Sequence, residues 1–414
     1  MSRGELLTDA QVVTGGRLVS DSWVLVEDGV IADVGKDGCR PPAADARTGL
    51  GGALVLPGYV DIHVHGGGGG SFGYDPVSTL RAARFHASYG TTSFLAAIST
   101  CPASTLLEHV KQLGSCPEQL DVGCRLLGIH LEGPFISVAR RGAHDPALIR
   151  PPDKAELGAL LAASPGRVRL MTMAPEVPGF QEVARMAHDA GVVIALGHTD
   201  ADGAQLRDAI AAGARTMTHT FNGMRPVLHR SPGPMEAITD TGVLCELICD
   251  GVHVHPTFVR MLRTLVGQDR LVLVTDAGTW AGAPEGHYQA GGRRVDVRSG
   301  AAFLHGSDTL AGSTVTMAEV VRRYARFTGA GAVELAAVGS TNAARALGED
   351  HRIGLVEPGH QADLVVLGAD LQCLGVMTAG QWARPLGSPA EPFSARDPHS
   401  VNECQHDESL DGGA

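Results

Sequence analysis

Asp61-Ile-His63-Val-His65 closes an apolar run that begins at residue 54. Side chains alternate along a strand with period two, so His63 and His65 lie on one face. Two neutral imidazoles converging on one point form half of a metal site. The same layout recurs down the chain. His130-Leu-Glu132, Leu196-Gly-His198-Thr-Asp200, Thr218-His219-Thr-Phe-Asn222, Cys249-Asp250-Gly-Val-His253 and Val274-Thr-Asp276 each end a short apolar run. The runs at 54–64, 92–98, 125–131, 168–173, 192–197, 215–219, 243–249 and 271–275 read as strands buried on both faces. Helical patterns lie between them, among them Pro76–Tyr89, Leu106–Gln112, Gln181–Ala190, Gly203–Ala212 and Pro256–Val266. Eight βα units in about 230 residues is the arithmetic of a (β/α)8 TIM-like barrel, with a doubly wound open sheet as the alternative. Barrel enzymes carry their chemistry at the C-terminal strand ends, where these ligand-type residues fall. Six such ends imply a metal centre.

Outside this middle the pattern changes. Val12-Val-Thr-Gly-Gly-Arg-Leu, Ser22-Trp-Val-Leu-Val-Glu-Asp-Gly and Val30-Ile-Ala-Asp-Val-Gly are β-type runs punctuated by turns, and Gly354-Leu-Val-Glu-Pro-Gly-His-Gln-Ala-Asp-Leu-Val-Val-Leu has the same character. Both termini, 1–56 and 349–385, are therefore expected to build one small β-sandwich domain beside a barrel at 57–348. The stretch 278–312 reads as a polar, Gly-rich insert. The tail 386–414, rich in Pro, Ser, Asp and His, is expected to be disordered.

Composition narrows the function. Lys plus Arg number 33 against 45 Asp plus Glu, a net charge of −12, which argues against nucleic acid and acidic membrane surfaces as partners. A phosphorylated small molecule remains possible, since it needs only a local cationic pocket. No run approaches the ~18–20 apolar residues of a membrane helix, and no signal-type apolar segment follows the N-terminus. A cytoplasmic location is the expectation. The eight cysteines include no CxxC and read as reduced core thiols. Gly66–Gly70 lacks the G-K-[ST] of a phosphate loop, and it reads as room for the chain to pass close to the metal site. His255, His287 and His305 read as surface residues.

The order of these motifs resembles the amidohydrolase superfamily and, within it, the N-acetylglucosamine-6-phosphate deacetylase family. The residues that carry the resemblance are Pro57-Gly-Tyr-Val-Asp-Ile-His-Val-His-Gly66, His130-Leu-Glu-Gly-Pro-Phe135, Leu196-Gly-His-Thr199, His219-Thr-Phe-Asn-Gly-Met224, Asp250-Gly-Val-His253, Val274-Thr-Asp-Ala277 and Leu310-Ala-Gly-Ser313. It runs from about residue 10 to 385. Lysine content agrees with it: Lys36, Lys111 and Lys154 all lie outside the candidate strands, so a bridging carboxylate must come from an acid.

The resemblance implies that Glu132, His198 and His219 hold one divalent ion, zinc or ferrous iron. His63 and His65 would hold a second, with Glu132 bridging and Asp276 near both, so one or two ions per chain are expected. Asp276 would act as general base and then acid in hydrolysis of an acetamide, with His253 steadying the oxyanion. Arg230 would grip a sugar 6-phosphate through its planar fork. Asn222 and the Gly223 amide share its loop, and Ala143, Leu310, Ala311 and Gly312 would contact the sugar. His144 is a candidate to support the metal site from behind, and Arg225 reads as a loop residue, with a second phosphate contact as the alternative. The expected substrate is N-acetyl-D-glucosamine 6-phosphate, in amino-sugar catabolism and cell-wall recycling. An isomeric amino-sugar phosphate or an N-acyl amino acid is the rival among enzymes. A non-catalytic sensor that kept the barrel is the rival of another class, against which the intact set His63, His65, Glu132, His198, His219 and Asp276 speaks. A homodimer or higher homo-oligomer is expected, because members of this family are commonly oligomers.

Overall fold

The computed structural model describes residues 4–36, 39, 41–290 and 292–394. Eight parallel strands, Tyr59–Val64, Thr91–Ser99, Cys124–Glu132, Val168–Met173, Val193–Leu196, Thr216–Met217, Leu244–Ile248 and Leu271–Val274, follow one another in chain order around a barrel. The seam between the eighth and the first is closed at its C-terminal end. There the Asp276 N–H donates to the His63 carbonyl at 2.8 Å, and the His65 N–H to that of Ala277 at 2.9 Å. Asp61 staples the same seam. Its carboxylate accepts from the Thr275 hydroxyl at 2.6 Å and from the His63 amide at 3.2 Å. Burial nonetheless pushes this acid up to about 7. The barrel, and not the open sheet, is the observed architecture.

The run expected as one strand at 54–64 is two. Ala46–Pro57 belongs to a terminal sheet and Tyr59–Val64 to the barrel. Pro57 offers no N–H, and a Cβ on Gly58 would come within 2.3 Å of Thr92, so the chain turns there where only glycine fits. The intervening helices are set by local signals. Pro76–Ser88 opens on Asp75, which accepts from the Ser78 N–H at 2.8 Å, and has proline in its first turn. Gly203–Ala211 and Met317–Thr328 each begin with a capping box, Asp202 with Gln205 and Thr316 with Glu319.

The two chain ends meet in a seven-stranded sheet ordered Gln381–Arg384, Cys373–Thr378, Leu364–Leu367, Ala46–Pro57, Gly4–Thr14, Arg17–Glu27, Val30–Lys36. Ile31 exchanges backbone hydrogen bonds with Gly359 and His360, which curls the far edge back toward Leu364. The curled sheet encloses its own apolar cluster, including Leu7, Val12, Val24, Val55 and Val366. Arg125, at the base of the third barrel strand, donates to Asp363 at 2.5 Å. Both are 3% exposed, so this ion pair ties the terminal sheet to the barrel in a dry setting.

Two segments are more ordered than their composition suggests. The insert at 278–312 holds a three-stranded antiparallel sheet, Gly286–Ala290, Arg293–Arg298 and Ala301–Leu304. Its inner face packs Tyr288, Val295 and Val297 on Trp280, while its outer face carries Arg, His and Asp. Of the tail expected to be disordered, residues 386–394 pack along the barrel. Glu391 N–H donates to Ser88 Oγ at 3.0 Å, and Ser394 N–H to the Gly68 carbonyl at 3.2 Å. Residues 395–414 lie outside the described residues. Among the described residues no helix is long and apolar enough to cross a membrane.

Removing one member of a buried ion pair strands the other charge, at a cost of about 3–5 kcal/mol. Asp363→Ala should therefore lower stability by that order and shift the thermal midpoint down. A melting curve indistinguishable from that of the parent protein would show that the pair does not hold the two parts together.

Candidate metal centre and active site

The barrel's C-terminal strand ends bring His63, His65, Glu132, His198, His219 and Asp276 into one cluster. Three of them, His198, His219 and Asp276, sit at positive φ of 47°, 28° and 47°. Such backbone is unfavourable for a residue with a Cβ by about 1–3 kcal/mol and survives only where its surroundings fix it. Here the fixing is by hydrogen bonds. Thr199 N–H donates to Gly223 O, Asn222 N–H to His219 O and Ser313 N–H to Asp276 O, all at 2.7–2.9 Å.

Glu132 is the node. Its Oε1 lies 3.4 Å from His63 Nε2, 3.0 Å from His198 Nε2 and 3.2 Å from His219 Nε2. Its Oε2 lies 3.4 Å from His65 Nε2 and 3.3 Å from His144 Nε2. Asp276 Oδ1 is 3.5 Å from His63 Nε2 and 3.2 Å from His65 Nε2. Four-coordinate ions with bonds of 2.0–2.1 Å have ligand–ligand edges of about 3.3–3.4 Å, close to this spacing. The tautomers agree. His198 Nδ1 meets the Arg140 carbonyl at 2.9 Å, His63 Nδ1 meets Glu246 at 3.4 Å, and His65 Nδ1 meets Ser99 Oγ at 3.3 Å. A proton on each of these three Nδ1 atoms leaves the Nε2 lone pair facing Glu132, whereas His219 Nδ1 meets no partner among the described residues.

Electrostatics points the same way. Glu132 is 4% and Asp276 8% exposed, and among the described residues neither pairs with Arg or Lys. Two buried carboxylates without a fixed cation need positive charge from elsewhere. Burial by itself would raise both acids, but the surrounding imidazoles hold both below the usual carboxylate range. Burial pushes His144 down to about 4, leaving a neutral ring beside Glu132. The donor set fits a divalent ion.

A cavity of about 590 Å3 opens over this cluster. Ala143, His144, Asn222, Gly223, His253, Leu310, Ala311 and Gly312 all line it, together with His65, Glu132, His198, His219 and Asp276. His253 Nδ1 is held by Asp250 Oδ2 at 2.6 Å, and Asp250 also accepts from the Val252 and His253 amides at 2.8 Å. Burial opposes the His253 cation, yet Asp250 holds its titration above the usual imidazole range. Among the described residues the ring's other nitrogen has no hydrogen-bond partner, and His253 lines the cavity.

Arg230 does not join these residues. It is exposed on the loop after the sixth strand and does not line the cavity. Arg225 on the same loop is tied to Asp200, donating to its carbonyl at 3.0 Å, as expected of a loop residue. The glycine run 66–70 packs beneath the helix Pro76–Ser88. A Cβ on Gly67 would lie 2.5 Å from His86 Nε2, which itself meets the Gly66 carbonyl at 2.8 Å. Two residues that motif spacing did not single out belong to the site. Glu246 is a fully buried carboxylate in the apolar run Leu244–Ile248, and Arg293 is a cation on the cavity wall. The single acid inside that apolar run was the available signal for Glu246.

Residues 54–383 match the Amidohydrolase family. The chain is 36% identical to N-acetylglucosamine-6-phosphate deacetylase of Bacillus subtilis, over 92% of this chain and 98% of that one. It is 34% identical to N-acetylgalactosamine-6-phosphate deacetylase of Escherichia coli O157:H7, over 91% and 99%. Among solved structures it resembles N-acetyl-D-glucosamine-6-phosphate deacetylase of Mycobacterium smegmatis in complex with N-acetyl-D-glucosamine-6-phosphate. There the TM-score is 0.86 and identity 42%, covering 92% of this chain and all of that one. The chain belongs to the amidohydrolase family, in the branch that holds the amino-sugar-phosphate deacetylases.

Proposed function

We propose that this chain hydrolyses the acetamide of N-acetyl-D-glucosamine 6-phosphate to D-glucosamine 6-phosphate and acetate. The observation that carries this reading is Glu132 at the centre of five imidazoles, with Asp276 beside them at the floor of a cavity. Its full-length relatives and solved neighbours carry the corresponding names. The C4 epimer is the second reading, since relatives named for the galactosamine substrate also match. The proposed setting is the cytoplasm, in amino-sugar catabolism and cell-wall recycling.

Glu132, His198 and His219 would hold one divalent ion, and His63 and His65 a second with Glu132 between them. Zinc or ferrous iron suits imidazole with carboxylate. A bound ion would supply Lewis acidity, bringing a water's pKa to about 7 and polarising the acetyl carbonyl. Asp276 takes the proton from the attacking water and returns it to the amine as the C–N bond breaks, so no net proton is consumed. The His253 ring, steered by Asp250, donates a hydrogen bond to the acetyl oxygen as charge develops there. Asn222, the Gly223 amide, Ala143 and Leu310–Gly312 orient the sugar. Arg230, exposed on its loop, would reach the phosphate in a neighbouring subunit of a homodimer or larger homo-oligomer.

Metal-replete protein should contain up to two divalent ions per chain by elemental analysis, and His63→Asn should lower that number without changing the circular dichroism. A ceiling of one ion after reconstitution would reject the second site. Asp276→Asn keeps the shape but cannot accept a proton, so turnover should fall at least about a hundredfold while substrate still binds. A mutant with most of its activity would remove Asp276 from the proton path. Arg230→Ala should lower kcat/KM for the phosphorylated sugar roughly ten- to a hundredfold. It should barely alter the slow reaction of N-acetylglucosamine itself. Equal losses on both substrates would make Arg230 structural.

A further inference from the structure

We propose that Arg293 is a phosphate-binding residue supplied by each chain to its own cavity, a contact separate from Arg230. The inference rests on the phosphosugar reading above and names the group that recognises the anionic end of the substrate. Among the described residues lining the cavity, Arg293 is the only Arg or Lys. The carboxylates there are Glu132, Asp276 and Asp145, and the first two belong to the proposed metal centre, so Arg293 is the permanent side-chain cation that the described cavity wall offers a phosphate.

The strand places Arg293 in the cavity by its alternation. Residues 293, 295 and 297 of Arg293–Arg298 share one face. Val295 and Val297 on that face are buried against Trp280 and Ala311, and both of those residues also line the cavity. Arg293, at the strand's start, extends the same face past the end of this apolar cluster. Ala290, its partner across the hairpin, lines the cavity as well. Arg293 also acts electrostatically on His144, Tyr74 and Cys101, which lie on the same wall.

Among the described residues no acid pairs with its charge. Neighbouring arginines are paired: Arg140 and Arg225 engage Asp200, and Arg150 engages Glu156 at 2.5 Å. The Arg293 side chain has no hydrogen bond or ion pair with any described residue. A half-buried, unpaired guanidinium facing a cavity is poised for an anion, and its planar fork matches two phosphate oxygens. The substrate's own chemistry sets its direction. The acetamide must lie at Glu132 and Asp276 to react, so the phosphate at the far end of the sugar lies elsewhere in the same cavity. Among the described lining residues, Arg293 is the Arg or Lys available to meet it there.

The test compares metal-replete parent protein with Arg293→Gln and Arg293→Lys. Acetate release from N-acetylglucosamine 6-phosphate should drop roughly ten- to a hundredfold in kcat/KM for Arg293→Gln, mainly through KM. Arg293→Lys should recover part of the loss, because it keeps the charge without the fork. Release from unphosphorylated N-acetylglucosamine, and metal content, should stay unchanged. Inorganic phosphate should bind the parent protein more tightly than Arg293→Gln by a similar factor, read by calorimetry. Equal losses on both sugars, or an unchanged phosphosugar reaction, would overturn the assignment. If the parent protein releases no acetate from the phosphosugar, the proposed reaction fails. The phosphate titration then still decides Arg293, since equal binding by parent and variant would reject it.

Discussion

One carboxylate organises the active end of this molecule. Glu132 closes the third barrel strand within 3.0–3.4 Å of nitrogens from His63, His65, His144, His198 and His219. A buried carboxylate without a hydrogen-bonded or ionic partner is costly. The fold answers that cost by converging imidazoles from three other strand ends and one loop on the same few cubic ångströms. The left-handed backbone at His198, His219 and Asp276 is part of that answer. So is the barrel seam, where the amide of Asp276 is bonded to the carbonyl of His63. Closure of the barrel and assembly of the centre are thus one event: a strand out of register would misplace a ligand.

The outer parts of the chain support this centre in different ways. The curled terminal sheet grips the base of the barrel through Arg125 and Asp363, far from the chemistry. The three-stranded insert lies at the other end and forms the cavity wall that carries Arg293. Residues 386–394 run over the glycine-rich turn after His65. Rigid support from below and a shaped wall above are what a hydrolase needs to hold a small substrate against fixed ligands.

The barrel was legible in the sequence because its strands are short apolar runs, and six of them stop on ligand-type residues, to which the family resemblance gave the proposed roles. The break at Gly58 was hidden inside a continuous apolar run, where strand periodicity alone sees no boundary. The insert's strands escaped notice because only one face is apolar and the other is Arg, His and Asp. Arg293 was invisible for the same reason, since its meaning depends on the face it shares with Val295 and Val297. Glu246 needed the fold to set it behind His63, across 183 residues of chain. Arg230 read as a phosphate contact on a long loop outside the metal cluster that a neighbouring subunit could supply, and in the single chain it is exposed.

The central claim is that the Glu132 cluster acts through bound metal on an amino-sugar acetamide. The most direct measurement is acetate release from N-acetylglucosamine 6-phosphate by chelator-stripped protein as zinc or ferrous iron is added back. The account predicts negligible release from the stripped protein and recovery that saturates by about two ions per chain. Release that survives complete stripping, or none at any metal loading, would contradict it.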